Sequence, residues 1–245
     1  MARPDHMLKA DELNQFRDLI RQRHKGCPVA YLTGKQDFWN HSFLVSTEVL
    51  IPRPDTEVLV EEALKRLSSL REKPLRILDI GTGSGCIAIS LALECPQAEV
   101  EAWDISDSAL EVAKQNQKAL GSRVHFCRKD ALNPDFWQNT GPFDLIVSNP
   151  PYIAEEEKKH LGPGVLTYEP HQALFATEHG LAFYYALARQ AFRVLRPGHG
   201  CIMVETGYRQ GEAVQEIFRK GPWKNSTIVR DLSGLNRVVT ADRIT

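Results

Sequence analysis

Arg76-Ile77-Leu78-Asp79-Ile80-Gly81-Thr82-Gly83-Ser84-Gly85 opens the regular part of the chain. Ile77, Leu78 and Ile80 read as a buried strand, and the glycines turn it into a helix beginning near Cys86. Glycine lets a backbone turn tightly and approach a ligand with its N–H groups outward. Such a turn alone is shared by nucleotide binders of many kinds. Two details narrow it. The spacing is G-x-G-x-G, with Cys86 where G-x-G-x-x-G needs a glycine. Asp79 also sits just before the turn, where a carboxylate repels a pyrophosphate but suits a ligand with an amino group.

From Pro74 onward, strands and helices alternate. Candidate strands cover 76–80, 99–104, 124–128, 143–148, 200–205, 226–231 and 236–240, and candidate helices 85–94, 107–120, 180–195 and 210–220. This rhythm predicts an α/β fold: a doubly wound, mostly parallel seven-stranded sheet with helices on both faces. Only Leu232-Ser233-Gly234-Leu235 separates the last two strands. That is too short for a crossover, so the sheet ends in an antiparallel hairpin, unlike the dinucleotide-binding pattern.

Further ligand residues are expected at the carboxyl ends of these strands. Asp104 ends the second, 25 residues after Asp79. It is placed to accept two ribose hydroxyls, or only to serve the start of the helix after Ser106. Asp130 and Ala131 follow the third strand, where a carboxylate can take an adenine amino group and Ala131 can line its edge; Asp130 can equally be a plain loop acid. The fourth strand, Phe143 to Ser148, runs into Asn149-Pro150-Pro151-Tyr152. Two prolines cannot continue a ladder, so the chain turns out at the sheet edge, where open α/β sheets bind ligands. The turn offers a carboxamide, a free backbone carbonyl and an aromatic face. A planar amino group fits that set: two acceptors fix its hydrogens and a ring stacks on its face, which is catalysis by orientation.

Before Pro74, residues 9–24 carry Leu13, Phe16, Leu19 and Ile20, with Leu8 just ahead, at helical spacing. They predict one amphipathic helix, ended by Gly26 and Pro28. Phe38-Trp39 and Phe43-Leu44-Val45 flank Asn40-His41-Ser42 as a hairpin. In Leu50-Ile51-Pro52-Arg53-Pro54-Asp55-Thr56-Glu57 the prolines impose an extended segment. Asp55 or Thr56 is placed to cap the next helix, which buries Val58, Leu59, Ala63, Leu64 and Leu67.

Of the whole chain, 42% is hydrophobic and 25% charged, as in a soluble globular protein. A net charge of −1 weighs against direct nucleic-acid binding through a basic face. No apolar run reaches the length of a membrane span, and Met1 to His6 has no apolar stretch behind it, so no signal peptide is expected. The five cysteines and eight histidines form no C-x-x-C or H-E-x-x-H. The expectation is a cytoplasmic protein without a metal.

Ile77 to Gly85, Asp104 and Asn149 to Tyr152 together resemble a class I S-adenosylmethionine-dependent methyltransferase acting on a planar nitrogen. Pro28-Val29-Ala30-Tyr31-Leu32-Thr33-Gly34, Leu50 to Glu57, and Tyr168-Glu169-Pro170 before Ala173-Leu174 are similar to the HemK/PrmC family. That family methylates N5 of the glutamine in the Gly-Gly-Gln motif of class 1 peptide-chain release factors. The resemblance runs from about residue 27 to 240. It implies that Asp79, Gly81, Thr82, Gly83, Ser84, Gly85, Asp104, Asp130, Ala131 and Asn149 serve the cofactor, and that Asn149, Pro150, Pro151 and Tyr152 hold the glutamine, with Asn149, Pro150 and Tyr152 catalytic. Residues 1–73 are then a substrate-side appendage and 74–245 the methyltransferase domain. The family usually begins with several helices, whereas one precedes Pro28 here. Glu205 is read as a pocket contact or, more simply, a solvated strand end, and the loop 153–180, with Glu155-Glu156-Glu157, as a partner-binding rim or a solvated face. The alternatives are adenine-N6 methylation of DNA or RNA, a non-catalytic binding module and a nicotinamide-dependent oxidoreductase.

Overall fold

The computed structural model describes residues 9–70 and 74–243. Helix α1 (Ala10–His24) buries none of its side chains, and Phe16 and Ile20 stay exposed. Leu8 lies outside the described residues. A short helix, α2 (Val29–Thr33), follows, closed by Gly34 in the left-handed region. Strands β1 (Lys35–Phe38) and β2 (His41–Leu44) form the expected hairpin, with the turn at Trp39-Asn40 and His41 and Ser42 already in the strand. Trp39 takes φ 54°, and its N–H donates to Glu57 Oε1 at 2.7 Å, which anchors the turn to the next helix.

A tight turn at Pro54–Thr56 leads into α3 (Glu57–Ser68). Neither Asp55 nor Thr56 caps it through its side chain, contrary to expectation. Thr56 already has helical dihedrals, φ −67° and ψ −18°, so its hydroxyl is not placed to reach the first free N–H groups. Asp55 instead pairs with Arg237 Nη2 at 2.9 Å. The helix buries Leu59, Val60, Ala63 and Leu67, while Val58 and Leu64 are partly covered.

The α/β part runs β3 (Arg76–Ile80), α4 (Cys86–Glu94), β4 (Glu99–Asp104), α5 (Asp107–Leu120), β5 (Val124–Arg128) and β6 (Leu145–Ser148). Then come α6 (Pro163–Tyr168), the single turn α7 (Thr177–Gly180), α8 (Ala182–Val194), β7 (Cys201–Glu205), α9 (Gly211–Arg219), β8 (Trp223–Arg230) and β9 (Asn236–Arg243). Among the described residues, seven strands form one sheet in the order β5-β4-β3-β6-β7-β9-β8. All pair parallel except β9, which is antiparallel to both β7 and β8. Successive strand residues point to opposite faces. Ile77, Leu145 and Val147 therefore pack with α3, α4 and the hairpin residues Phe38 and Phe43, whereas Leu78, Ile146 and Ile202 pack with α8 and α9. The strand order reverses between β3 and β6, which places the ligand crevice outside their carboxyl ends.

Candidate functional site

A cavity of about 250 Å³ opens at that switch point. Its wall takes Gly81 and Gly83 from the turn after β3, Asp104 and Ile105 from the end of β4, Asp130 to Leu132 after β5, and Asn149 to Pro151 after β6. Gly83 has φ +54°, and a Cβ there would meet open space, so the backbone itself faces the cavity. Asp104 Oδ2 accepts the Gly83 N–H at 2.9 Å and Oδ1 accepts the Ser106 N–H at 3.0 Å. It ties the glycine turn to the start of α5 without capping it, since the Ser106 hydroxyl accepts the Ala109 N–H at 3.2 Å. Burial pushes the Asp104 carboxyl up, and the backbone N–H groups of Ser106 and Gly83 pull it back. Each oxygen keeps a lone pair for a further donor. Asp130 Oδ1 accepts the Leu132 N–H at 2.9 Å, which turns the chain so that Ala131 is buried at the wall.

Four residues expected at the cofactor do not line the cavity. Asp79 is fully buried, and its Oδ2 accepts the Thr82 hydroxyl at 2.7 Å. Burial pushes its carboxyl up to about 7. Thr82 and Ser84 are buried with it. Gly85 faces α5, where a Cβ would come within 3.2 Å of Ala113 Cβ, so close helix packing is what demands a glycine there. These four shape the turn from behind.

At the end of β6, the Ser148 hydroxyl donates to the Ile80 carbonyl at 2.8 Å and fastens the strand end to β3. Asn149 Nδ2 donates to Thr56 Oγ1 at 3.1 Å. Pro150 is buried, and among the described residues no backbone N–H bonds its carbonyl. Tyr152 stands off the cavity wall. Its carbonyl accepts Gln210 Nε2 at 2.8 Å and its phenol faces Glu205. Glu205 is not a solvated strand end: it is 1% exposed, because the Thr56 turn, Tyr152 and Arg237 cover it.

Other wall residues were given no ligand role by the sequence, although Leu50, Pro170 and Ala173 lie in stretches that carry the family resemblance. Glu48, Val49 and Leu50 close one side, and Pro170, Gln172, Ala173 and Phe183 another. One ion pair joins these sides. Glu169, 4% exposed, holds the Arg53 guanidinium and accepts the Ile51 N–H at 3.3 Å. This contact explains why Leu50 to Glu57 and Tyr168-Glu169-Pro170 occur together. Ile105 and Leu132 were also missed, though each directly follows a ligand-side acid or its neighbour. They stay 50% and 44% exposed beside Asp104 and Asp130, leaving apolar surface for a flat ring. The run 155–159 is an exposed turn.

A bare glycine backbone, a strand-end carboxylate with spare lone pairs, and apolar surface beside it are the donor set that a nucleoside carrying an amino-acid tail requires. Among the described residues no cluster of His, Cys, Asp or Glu could hold a metal ion, and no helix is long and apolar enough to cross a membrane.

The chain is similar to known methyltransferases in sequence and in fold. Residues 55–166 match the methyltransferase small domain, and residues 1–34 match the PrmC N-terminal domain. The release factor glutamine methyltransferase of Koribacter versatilis is 42% identical over 99% of this chain and 84% of its own length. That of Bordetella pertussis is 45% identical over 91% of this chain and 80% of its own length. Among solved structures, the hMettl16 catalytic domain in complex with the MAT2A 3'UTR hairpin 6 superposes with a TM-score of 0.63 over 94% of this chain and 93% of that one, at 16% identity. A methyltransferase from Pyrococcus furiosus gives 0.58 over 94% and 98%, at 15% identity. The sheet is that of the class I methyltransferases.

Proposed function

The chain belongs to the release factor glutamine methyltransferase family, and from that premise we propose that it transfers a methyl group from S-adenosylmethionine to the amide N5 of the glutamine in the Gly-Gly-Gln motif of class 1 release factors, in the cytoplasm. The observation that carries this reading is Asn149 at the cavity wall, its nitrogen tied to Thr56 and its oxygen left for a donor, beside the carbonyl of Pro150. Incubating enzyme and cofactor with a whole release factor, followed by mass spectrometry, tests it. A gain of one methyl on that glutamine is expected, and modification of nucleic acid instead would overturn it.

In this reading Gly81, Gly83, Asp104, Asp130 and Ala131 hold the cofactor, with Ile105 and Leu132 against its purine. S-adenosylmethionine supplies, when bound, an already activated methyl group, so the protein needs no nucleophile of its own. An amide nitrogen is poorly nucleophilic because its lone pair is delocalised. The Asn149 oxygen and the Pro150 carbonyl accept its two hydrogens and orient it. As the nitrogen gains positive charge, both bonds strengthen, so they favour the transition state over the ground state. Tyr152 supports this turn from behind, through its bond to Gln210, rather than from the cavity wall.

Asp104→Ala is expected to weaken the cofactor and spare the chemistry. A charge-assisted acceptor contributes about 1.5–3 kcal/mol, or roughly 10- to 150-fold in affinity. Part of this comes through the Gly83 N–H that Asp104 holds. Calorimetric titration with S-adenosylmethionine measures it, and an unchanged dissociation constant would leave Asp104 as a loop brace alone.

Residues 1–73 serve the substrate side and 74–245 the chemistry. Recognition then rests on the hairpin, the Pro52–Glu57 segment and the loop 153–180. A free Gly-Gly-Gln peptide offers the right amide, yet it must order its own backbone and lacks remote contacts. We expect much lower kcat/KM on the peptide than on a whole release factor, and the preference should survive deletion of residues 1–24. Steady-state rates on both substrates with both enzymes decide this. Equal values would exclude remote recognition, and a preference lost on truncation would move it to α1.

A further inference from the structure

Asn149 can hold an amide hydrogen only when its side-chain oxygen, not its nitrogen, faces the substrate. The two ends of a carboxamide have the same shape, so packing cannot choose between them; hydrogen-bond polarity can. Resting on the function proposed above, we propose that Thr56, backed by the buried carboxylate of Glu205, is a positioning residue that fixes Asn149 with its oxygen toward the substrate amide.

The argument is one of donor direction. Glu205 is 1% exposed and Thr56 2% exposed, so water competes at neither. A carboxylate only accepts. The Thr56 hydroxyl and the Tyr152 phenol face that carboxyl and stabilise its charge, while its buried Oε2 has no hydrogen-bond partner among the described residues and so is an acceptor still in want of a donor. The single hydroxyl proton of Thr56 is thus drawn to Glu205. What Thr56 then offers Asn149 is a lone pair, which only the Asn149 nitrogen can use. The observed bond, Nδ2 to Oγ1 at 3.1 Å, has that polarity. The bond from Asn149 to Thr56 joins the end of β6 to the turn before α3, and the Thr56 hydroxyl in turn faces the unpartnered carboxyl that ends β7.

The charge on Glu205 sets the direction of the whole chain. Burial pushes its carboxyl up to about 7 against the pull of Thr56, Arg237 and Tyr152. The groups facing it come from every surrounding element. Asp55 precedes Thr56. Arg237 of β9 is itself paired with Asp55 and Asp231, at 2.9 and 3.0 Å. Tyr184 of α8 donates to the Glu205 backbone carbonyl at 2.9 Å. The Cys86 thiol of α4 is pushed up to about 12 by burial and stays neutral. When Glu205 takes a proton it can donate to Thr56, and Thr56 can donate to the Asn149 oxygen. The carboxamide then turns, and its NH₂ group opposes the substrate hydrogens. Turnover therefore falls as pH drops through about 7.

The test uses the full-length enzyme with a whole release factor, at saturating S-adenosylmethionine, so that Asp79, which titrates behind the cofactor turn in the same range, does not enter through affinity. Thr56→Val keeps the shape and removes the hydroxyl. Its kcat should fall by roughly 10- to 100-fold, as expected for a misdirected reacting group, with cofactor affinity and release-factor KM nearly unchanged. Thr56→Ser, which restores a hydroxyl, should recover most of the loss. Glu205→Gln should lower kcat at high pH and abolish the acid limb of the wild-type profile. Wild-type kcat in Thr56→Val overturns the proposal. So does a serine variant no better than valine while both bind cofactor, or an acid limb that persists in Glu205→Gln. Absence of wild-type methylation would overturn the functional reading itself, and this one with it; wild-type methylation with an unaffected Thr56→Val overturns the positioning role alone.

Discussion

Asn149→Ala is expected to lose turnover by roughly 100- to 1000-fold, the loss typical of removing one preorganised partner of a developing charge, while cofactor affinity changes little. The other residues proposed to hold the cofactor, Gly81, Gly83, Asp104 and Ala131, reach the cavity from the ends of β3, β4 and β5 and do not depend on Asn149. The alanine variant leaves the Pro150 carbonyl as a single acceptor. One acceptor can hold one amide hydrogen but cannot set the rotation of the nitrogen about that bond. The loss should fall on the chemical step, because the bond to Asn149 strengthens only as the nitrogen gains charge. It also leaves the Thr56 hydroxyl without its donor inside a buried turn, so a modest fall in Tm should accompany it. Single-turnover methylation beside calorimetric cofactor binding separates the two effects. A variant that turns over at the parent rate would remove Asn149 from the mechanism.

Much of this arrangement was legible in the chain itself, and the reasons are local. Ile77 to Gly85 read as strand, turn and helix because apolar run, glycines and helix former follow in order, and β3 and α4 lie there. The four residues between the last two strands allowed only an antiparallel pairing, and β8 and β9 pair that way. What could not be read was which side of a residue the fold would cover. Glu205 ends a strand, a place that is normally wet; Thr56, 149 positions earlier, and Arg237, 32 positions later, shut it in. Thr56 stood where a cap belongs, but Pro54 begins a tight turn that already gives it helical dihedrals and sends its hydroxyl to Asn149. Asp79 read as a ligand because it adjoins the glycines, yet strand alternation turns its side chain inward, to Thr82. In each case the deciding partner is set by tertiary packing or by the phase of the strand, neither of which motif spacing records.

Gly180→Ala is expected to cost kcat/KM roughly 100-fold, on the scale of a misplacement of about 1 Å at the reacting groups, without touching the cofactor site. Gly180 has φ +83°, and Glu178 and His179 before it are also left-handed, so α7 is a strained turn packed on the one that carries Asn149 to Tyr152. A Cβ at Gly180 would overlap the Tyr152 carbonyl oxygen and come 2.7 Å from Gln210 Nε2. Those two atoms are bonded to each other at 2.8 Å, and that bond holds Tyr152 in place. Since the first obstacle is backbone, no side-chain rotation relieves the overlap; the turn carrying Asn149 to Tyr152 must shift. Gly180 does not line the cavity, so S-adenosylmethionine affinity should hold. Gly234→Ala supplies the control. It has φ +78°, and its Cβ would meet nothing within 4 Å, so it carries a similar backbone strain of about 1–2 kcal/mol with no displacement. Both variants should lose some stability by thermal melting, and only Gly180→Ala should lose turnover. Equal turnover in the two would mean that the position of Tyr152 does not govern the amide, and the support assigned to it through Gln210 would then have to come from Pro150 and Pro151 alone.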